Sequence, residues 1–468
     1  MRPDLILLER GQDELLVADP YHLRPLHVRR GRERILQVLA EAGPGLPVEA
    51  LRARFPADGA LVDLLVGHGI LGPEHGRTED GAACPTPPGR KGRITLYLLV
   101  TEACNLRCVY CLDGSGTYDR QGPSGMSEAV AVRAVETCLS ELAPGGRLEV
   151  AFFGGEPLLK WSLVKRVILA CEERLRPAHP DKRLTYHLTS NLTVPPPDLE
   201  AWVTRYGIRV LCGIDGPADV HDRCRVCSGG GPTHDRSAAV VRKLVDAGAE
   251  VTLRATVTAL NEDRIEEVAA HHEALGGSSS LFVPLRPVNS DEQVVEDRLL
   301  PDPAKLMASA LALRRSPSAR ARLFPFNDFS ARIRPGVRHP VACGAPLGTT
   351  RVVRPNGDVY PCIYLVGRPQ HLLGNVAGRL DDAPLARMMA ELHVDRREDC
   401  AGCAWRYACG GGCQVMVAAR ALGRTRPRTA EYARAITCDF SRALLAAGLW
   451  EAVDRAGRTR EGPAGGLP

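Results

Sequence analysis

The sequence predicts an α/β protein built on a partial (β/α)6, TIM-like barrel, with a small α+β unit before it and a cysteine-rich unit after it. Three observations carry this. Between residues 94 and 286, six short apolar runs are separated by five helical patterns, the pattern of a parallel sheet buried on both faces. The first 75 or so residues read as three short strands followed by three helices. Finally, seven of the sixteen cysteines fall between residues 343 and 438, whereas residues 1–83 hold none.

At 468 residues the chain is too long for one ordinary core, so two or three domains are expected. Hydrophobic residues at 44% and charged residues at 25% are those of a globular protein. The net charge of +5 comes from 60 basic and 55 acidic residues, the basic ones being mostly dispersed Arg, which argues against nucleic acid as a partner. No apolar run reaches membrane-spanning length and no signal-peptide core is present, so a cytoplasmic protein without membrane contact is expected. That compartment keeps thiols reduced, and clustered cysteines there point to metal.

Residues 1–78 form the first unit. "DLILLER" (4–10), "ELLVADP" (14–20) and "LRPLHV" (23–28) read as strands broken by turn residues. "RERILQVLAEAG" places Ile35, Leu36, Val38 and Leu39 at helical spacing, and "PVEALRARF" and "GALVDLLVGHGIL" add two short helices. This order matches a winged-helix-like domain. The stretch 72–93 is rich in Gly, Pro and charge, and 79–93 is taken as a linker. The core spans 94–300. Strands are expected at 94–100, 148–154, 184–190, 208–214, 250–258 and 280–286, and helices at 126–142, 158–176, 197–206, 235–247 and 261–274. Barrels of this kind place their chemistry at the C-terminal ends of strands. "CNLRCVYC" (104–111), "FGGEP" (153–157) and "TSN" (189–191) follow the first three strands. A bridging region, 301–342, contains a helix near 302–314; the cysteine-rich unit covers 343–445, and a partly disordered tail covers 446–468.

Taken alone, Cys104, Cys108 and Cys111, as C-x3-C-x2-C, support two readings. They are a zinc site completed from elsewhere, or three ligands of a 4Fe–4S cluster with one iron left open. Combined with Gly154, Gly155, Glu156 and Pro157 one strand later, the motif resembles the radical S-adenosylmethionine (SAM) superfamily. The resemblance implies that the three cysteines hold a 4Fe–4S cluster whose open iron binds SAM, and that Tyr110 packs near the adenine. It further implies that Gly154–Pro157 meets the SAM amino group and that Ser190 and Asn191 contact the ribose. "GIDGP" (213–217) is similar to a loop of that family read here as structural.

The remaining cysteines are similar to the SPASM domain, which carries two auxiliary 4Fe–4S clusters. Cys343, Gly357 and Cys362 give C-x13-G-x4-C; Cys400, Cys403, Cys409 and Cys413 give C-x2-C-x5-C-x3-C; Cys438 closes the set. The resemblance implies one cluster on Cys400, Cys403, Cys409 and Cys438, and another on Cys343, Cys362 and Cys413 whose fourth ligand is open. Cys224 and Cys227 lie outside the family pattern, either as plain loop thiols or as a redox pair or extra ligand. Cys138, Cys171 and Cys212 sit in apolar contexts suited to a core.

The third N-terminal helix carries two Asp and no Lys or Arg, poor equipment for DNA. The unit resembles instead the RiPP recognition element, which grips the leader of a ribosomally made precursor peptide beside its third strand and third helix. The reading is therefore a radical SAM peptide maturase, reduced by a flavodoxin or ferredoxin. It abstracts hydrogen through a 5′-deoxyadenosyl radical to form a thioether or a C–C or C–O cross-link. A formylglycine-generating sulfatase maturase is the enzyme alternative, but those carry Asp after the G-x4-C cysteine where Ile363 and Tyr364 stand here. A zinc- and DNA-binding protein is the non-enzymatic alternative. No general base follows from the spacing.

Overall fold

The computed structural model describes residues 5–20, 23–29, 31–42, 46–72, 91–111, 125–288, 295–315, 321–323, 332–333 and 337–460. Strands β1 (Ile6–Arg10), β2 (Glu14–Ala18) and β3 (Leu26–Val28) form an antiparallel sheet in that order, followed by helices Arg32–Ala42, Val48–Arg54 and Gly59–Gly67. Strand β2 is buried on both faces. Leu15 and Val17 pack on the unit's own helices through Val38, Leu39, Leu51 and Leu65. Leu16 and Ala18, with Ile6 and Leu23, face the other way, into a core shared with Phe282, Leu444, Leu445 and Leu449. Alternate side chains of a strand point to opposite faces, so one strand joins two hydrophobic cores. At the rim Arg10 pairs with Asp454 at 2.9 Å, and its guanidinium lies 4.2 Å from the centre of the Trp450 ring.

The central sheet has ten strands in the order β12-β11-β10-β8-β7-β6-β4-β13-β14-β15. These are β4 (Lys91–Thr101), β6 (Leu142–Gly154), β7 (Arg183–Ser190), β8 (Arg209–Gly213), β10 (Val251–Val257), β11 (Ser279–Pro284), β12 (Ala321–Leu323), β13 (Thr350–Val353), β14 (Asp358–Tyr360) and β15 (Gly374–Asn375). From β4 to β12 every pairing is parallel, each strand of the core lying beside its predecessor. Right-handed crossovers in a sheet that grows in one direction put all connecting helices on one face. The opposite face is thereby left to line a cleft. The intervening helices start and stop on local signals: Ser127 caps Glu128–Glu141 by accepting from Val130 N, and Gly207 closes Leu199–Tyr206 in the left-handed conformation. Short strands β5 (Leu106–Cys108) and β9 (Arg225–Cys227) pair antiparallel as a separate ribbon.

Three expected boundaries move. The linker lies outside the described residues up to 90, and from Lys91 the chain is already strand, because the buried Lys91 ammonium finds Glu141 at 2.6 Å. The cysteine-rich unit does not begin a separate body at 343: β13 pairs parallel with β4, so β13–β15 extend the same sheet. The tail placed from 446 is helical at first. Helix Phe440–Arg460 runs through that boundary, held by Leu444, Leu445 and Leu449 in the core; residues 461–468 lie outside the described residues. Among the described residues no helix is long and apolar enough to cross a membrane.

The shared core sets a first prediction. Leu16→Ala should cost about 2–5 kcal/mol by urea unfolding, since a buried leucine leaves a cavity. Leu64→Ala, on an exposed position of the same unit, should change stability by less than about 0.5 kcal/mol.

Candidate active site

The cysteine motif lies at the C-terminal end of β4, as the end of a parallel strand requires for a loop that faces the cleft. Backbone alone fixes its start: Gly155 N donates to Thr101 O and Glu156 N to Ala103 O, both at 2.9 Å. The two glycines are needed for this approach. A β-carbon at Gly154 would stand 2.2 Å from Thr101 O, and one at Gly155 2.2 Å from Ala103 O; Gly154 also has φ +127°. The glycines thus press against the cysteine loop itself.

The far side of the loop is held by the β5–β9 ribbon, in which Leu106 pairs with Cys227 and Cys108 with Arg225. Val109 N also donates to Cys224 O at 3.0 Å. The C-x2-C segment at 224–227 therefore binds the metal-motif loop through its backbone. Cys224 is buried, its thiol pushed up by burial to about 12, and the Cys227 sulfur accepts from Gly231 N at 3.1 Å; both thiols are free.

Glu156 is buried. Its carboxylate accepts from Asn191 N at 2.7 Å, Ser190 Oγ at 2.8 Å and Leu158 N at 2.9 Å. Burial raises its pKa above the usual carboxylate range, against the pull of those three donors. The Asn191 amide reaches Asn105 Oδ1 at 3.0 Å, and Asn105 in turn donates to Thr193 Oγ1 at 2.7 Å. Motifs from three strand ends are thus tied together by hydrogen bonds.

The Tyr110 hydroxyl donates to Asp215, which also accepts from Arg225 Nε at 3.0 Å and Thr256 N at 2.9 Å. Burial raises the Tyr110 hydroxyl well above its ordinary value. Burial alone would lower Arg225, but the Asp215 carboxylate keeps it charged. Gly213 makes room for this guanidinium, since a β-carbon there would lie 2.3 Å from it. Cys104, Cys108, Tyr110, Cys111, Gly154, Gly155, Glu156, Ser190 and Asn191 all line one cleft. Pro157, by contrast, is buried at the start of the turn Pro157–Lys160.

Burial pushes the Cys104 thiol to about 11 and Cys108 to about 12, with Cys111 raising both and Cys104 also raising Cys108. Burial likewise raises the Cys362, Cys400 and Cys409 thiols. Arg420 Nη2 stands 3.3 Å from the Cys438 sulfur and Arg442 Nη2 3.6 Å from that of Cys403. Among the described residues no three His, Cys, Asp or Glu side chains converge as ligands of a single ion. Three thiols beside a cleft, with no fourth protein ligand, are the donor set that suits a 4Fe–4S cluster with an open iron.

Several residues of the site were not legible as such: Asn105, whose amide ties two loops, and Arg225, Arg254, Arg286 and Tyr364, which line the cleft. Arg254 alone left a trace, as a charge inside the apolar run "EVTLRATVT".

Comparison with known proteins agrees with the geometry. The profile of the Radical SAM superfamily matches residues 98–271, so the chain carries a radical SAM domain there. The mycofactocin maturase MftC of Mycobacterium ulcerans is 26% identical over 347 residues, covering 70% of this chain and 84% of that one. Native anSMEcpe with bound AdoMet shares the fold with a TM-score of 0.61 at 18% identity, over 78% of this chain and 100% of that one. SuiB of Streptococcus suis bound to its precursor peptide SuiA gives 0.53 at 14% identity, over 89% and 96%.

The Asp215 network predicts that Asp215→Asn, which strands a buried guanidinium, costs about 3–5 kcal/mol in urea unfolding. Tyr110→Phe, losing one bond to a charged acceptor, should cost about 1.5–3 kcal/mol. Gly155→Ala should bind less than half the wild-type iron at the three-cysteine motif after anaerobic reconstitution, measured in a variant lacking the C-terminal cysteines. Full occupancy there would show that the glycine cradle does not set the loop.

Proposed function

We propose that this protein modifies a ribosomally made precursor peptide by radical SAM chemistry. The observation that carries the reading is the loop of Cys104, Cys108 and Cys111, clamped between the glycine cradle and the β5–β9 ribbon at the mouth of a cleft in a radical SAM domain. The three cysteines would hold the cluster; Tyr110, Gly154, Gly155, Glu156, Ser190 and Asn191 would surround SAM. When bound and reduced by a donor such as flavodoxin or ferredoxin, these groups supply a 5′-deoxyadenosyl radical able to take hydrogen from an unactivated carbon. The chain's own part is to orient and to exclude water. The Glu156 carboxylate is fixed by three donors, and the Tyr110 ring is fixed through Asp215.

Two further 4Fe–4S clusters are proposed, one on Cys400, Cys403, Cys409 and Cys438, the other on Cys343, Cys362 and Cys413. The second set leaves a site suited to a substrate thiolate, which favours a thioether product over a C–C or C–O cross-link. Either product is lighter than its precursor by two hydrogen atoms.

The N-terminal unit would take the leader. β3 pairs with β2 on one edge only among the described residues, and Leu64 stands exposed on the third helix. An extended peptide added at that edge gains main-chain hydrogen bonds and an apolar contact. MftC and SuiB, a maturase and a precursor-peptide binder by name, support the reading.

Cys104→Ala should abolish release of 5′-deoxyadenosine from SAM in the presence of dithionite; undiminished release would refute the assignment. With the peptide encoded by a short neighbouring reading frame, Leu64→Asp should weaken binding at least tenfold by fluorescence anisotropy while leaving uncoupled SAM cleavage unchanged. A product that resists iodoacetamide at its cysteine supports the thioether; one fully alkylated excludes it.

A further inference from the structure

Two arginines on the cleft wall have no counter-charge among the described residues. Arg254 stands on β10 between Leu253 and Ala255, which are buried on the helix side of the sheet; strand alternation turns Arg254 toward the cleft. Arg286 is buried just beyond β11, where Leu285 N donates to Val257 O at 3.0 Å. Both line the cleft, both have a buried Nε without a partner, and neither guanidinium makes a hydrogen bond or ion pair with a described residue. Among the described residues the only carboxylate lining the cleft is Glu156, whose oxygens are already taken by Asn191 N, Ser190 Oγ and Leu158 N. Arg225 differs, because it has Asp215.

The two guanidiniums share a neighbourhood. Both line the same cleft as Tyr364. A buried cation without a partner is costly, and the planar fork of arginine fits a carboxylate through two parallel N–H donors.

We infer that Arg254 and Arg286, with the Tyr364 hydroxyl, form an anion subsite that receives a carboxylate of the substrate peptide. The peptide as substrate rests on the function proposed above. The carboxylate belongs either to an Asp or Glu side chain or to the peptide's C-terminus. Pinning it would fix which carbon faces the radical, a gain in orientation that the apolar wall of Val283, Leu285 and Val288 does not give.

The test uses the anaerobically reconstituted holoenzyme with SAM and titration calorimetry. The probes are N-acetyl-alanylglycine, for a terminal carboxylate, and N-acetylaspartate α-amide, for a side-chain carboxylate, each beside its uncharged amide. At least one acid should bind ten times more tightly than its amide, and which one does so identifies the source. Arg254→Gln and Arg286→Gln should each erase that preference, while Arg286→Lys keeps part of it as a point charge. Iron content and SAM affinity should stay within twofold of wild type, which shows that the variants fold. Equal binding of acids and amides by the wild type would overturn the subsite. So would a tenfold loss of SAM affinity in the glutamine variants, which would assign the arginines to the cofactor's own carboxylate. Tighter binding of inorganic phosphate than of either acid would overturn it as well. Acid preference without modification of any peptide would leave the subsite standing and the maturase reading fallen; modification without acid preference would do the reverse.

Discussion

A single buried carboxylate, Asp215, holds the working end of the sheet together. It sits after β8 and accepts from the backbone of β10 through Thr256 N, from the ribbon through Arg225, and from the cysteine loop through Tyr110. Donors from residues 110, 225 and 256 thus meet on two oxygen atoms. A charge this deep is tolerable because both oxygens have donors, one of them a guanidinium. The same demand explains Gly213, whose missing side chain is the space Arg225 occupies.

Around that point the glycine cradle and the ribbon act as two jaws. One is made of backbone amides at Gly155 and Glu156, the other of the pairing between Leu106–Cys108 and Arg225–Cys227. Neither uses a cysteine side chain. Backbone bonds thus position the loop and leave its thiols available to a metal, as a preorganised site needs.

Much of this was readable from residues. The core strands announced themselves because each is mostly apolar, as in "ITLYLLV" and "LEVAFFG", and the cysteine motif because its spacing has few other uses. What stayed hidden depends on partners distant in the chain. β13 to β15 are two to four residues long and exist because β4, some 250 positions earlier, offers an edge. The helix Phe440–Arg460 carries apolar residues on one stretch and charges on the next, so its periodicity is weak; burial against Leu16 and Phe282 is what orders it. Glu156 was legible as a site residue but its bonds to Ser190, Asn191 and Leu158 were not. Arg225, Arg254 and Arg286 were missed because an arginine in a sequence most often lies in water, and only the fold shows otherwise.

The double burial of β2 has a consequence for substrate choice. Because Leu15 and Val17 face one core while Leu16 and Ala18 face another, the N-terminal sheet is not a module on a tether. A leader seated at β3 would be anchored to the same solid as the cleft. On the proposed peptide substrate, the span between anchor and reacting carbon would then be a constant of the enzyme, and the peptide would have to supply it. The number of residues between leader and target would become the address that selects the position modified, and lengthening that spacer would move the mark along the peptide by the same count.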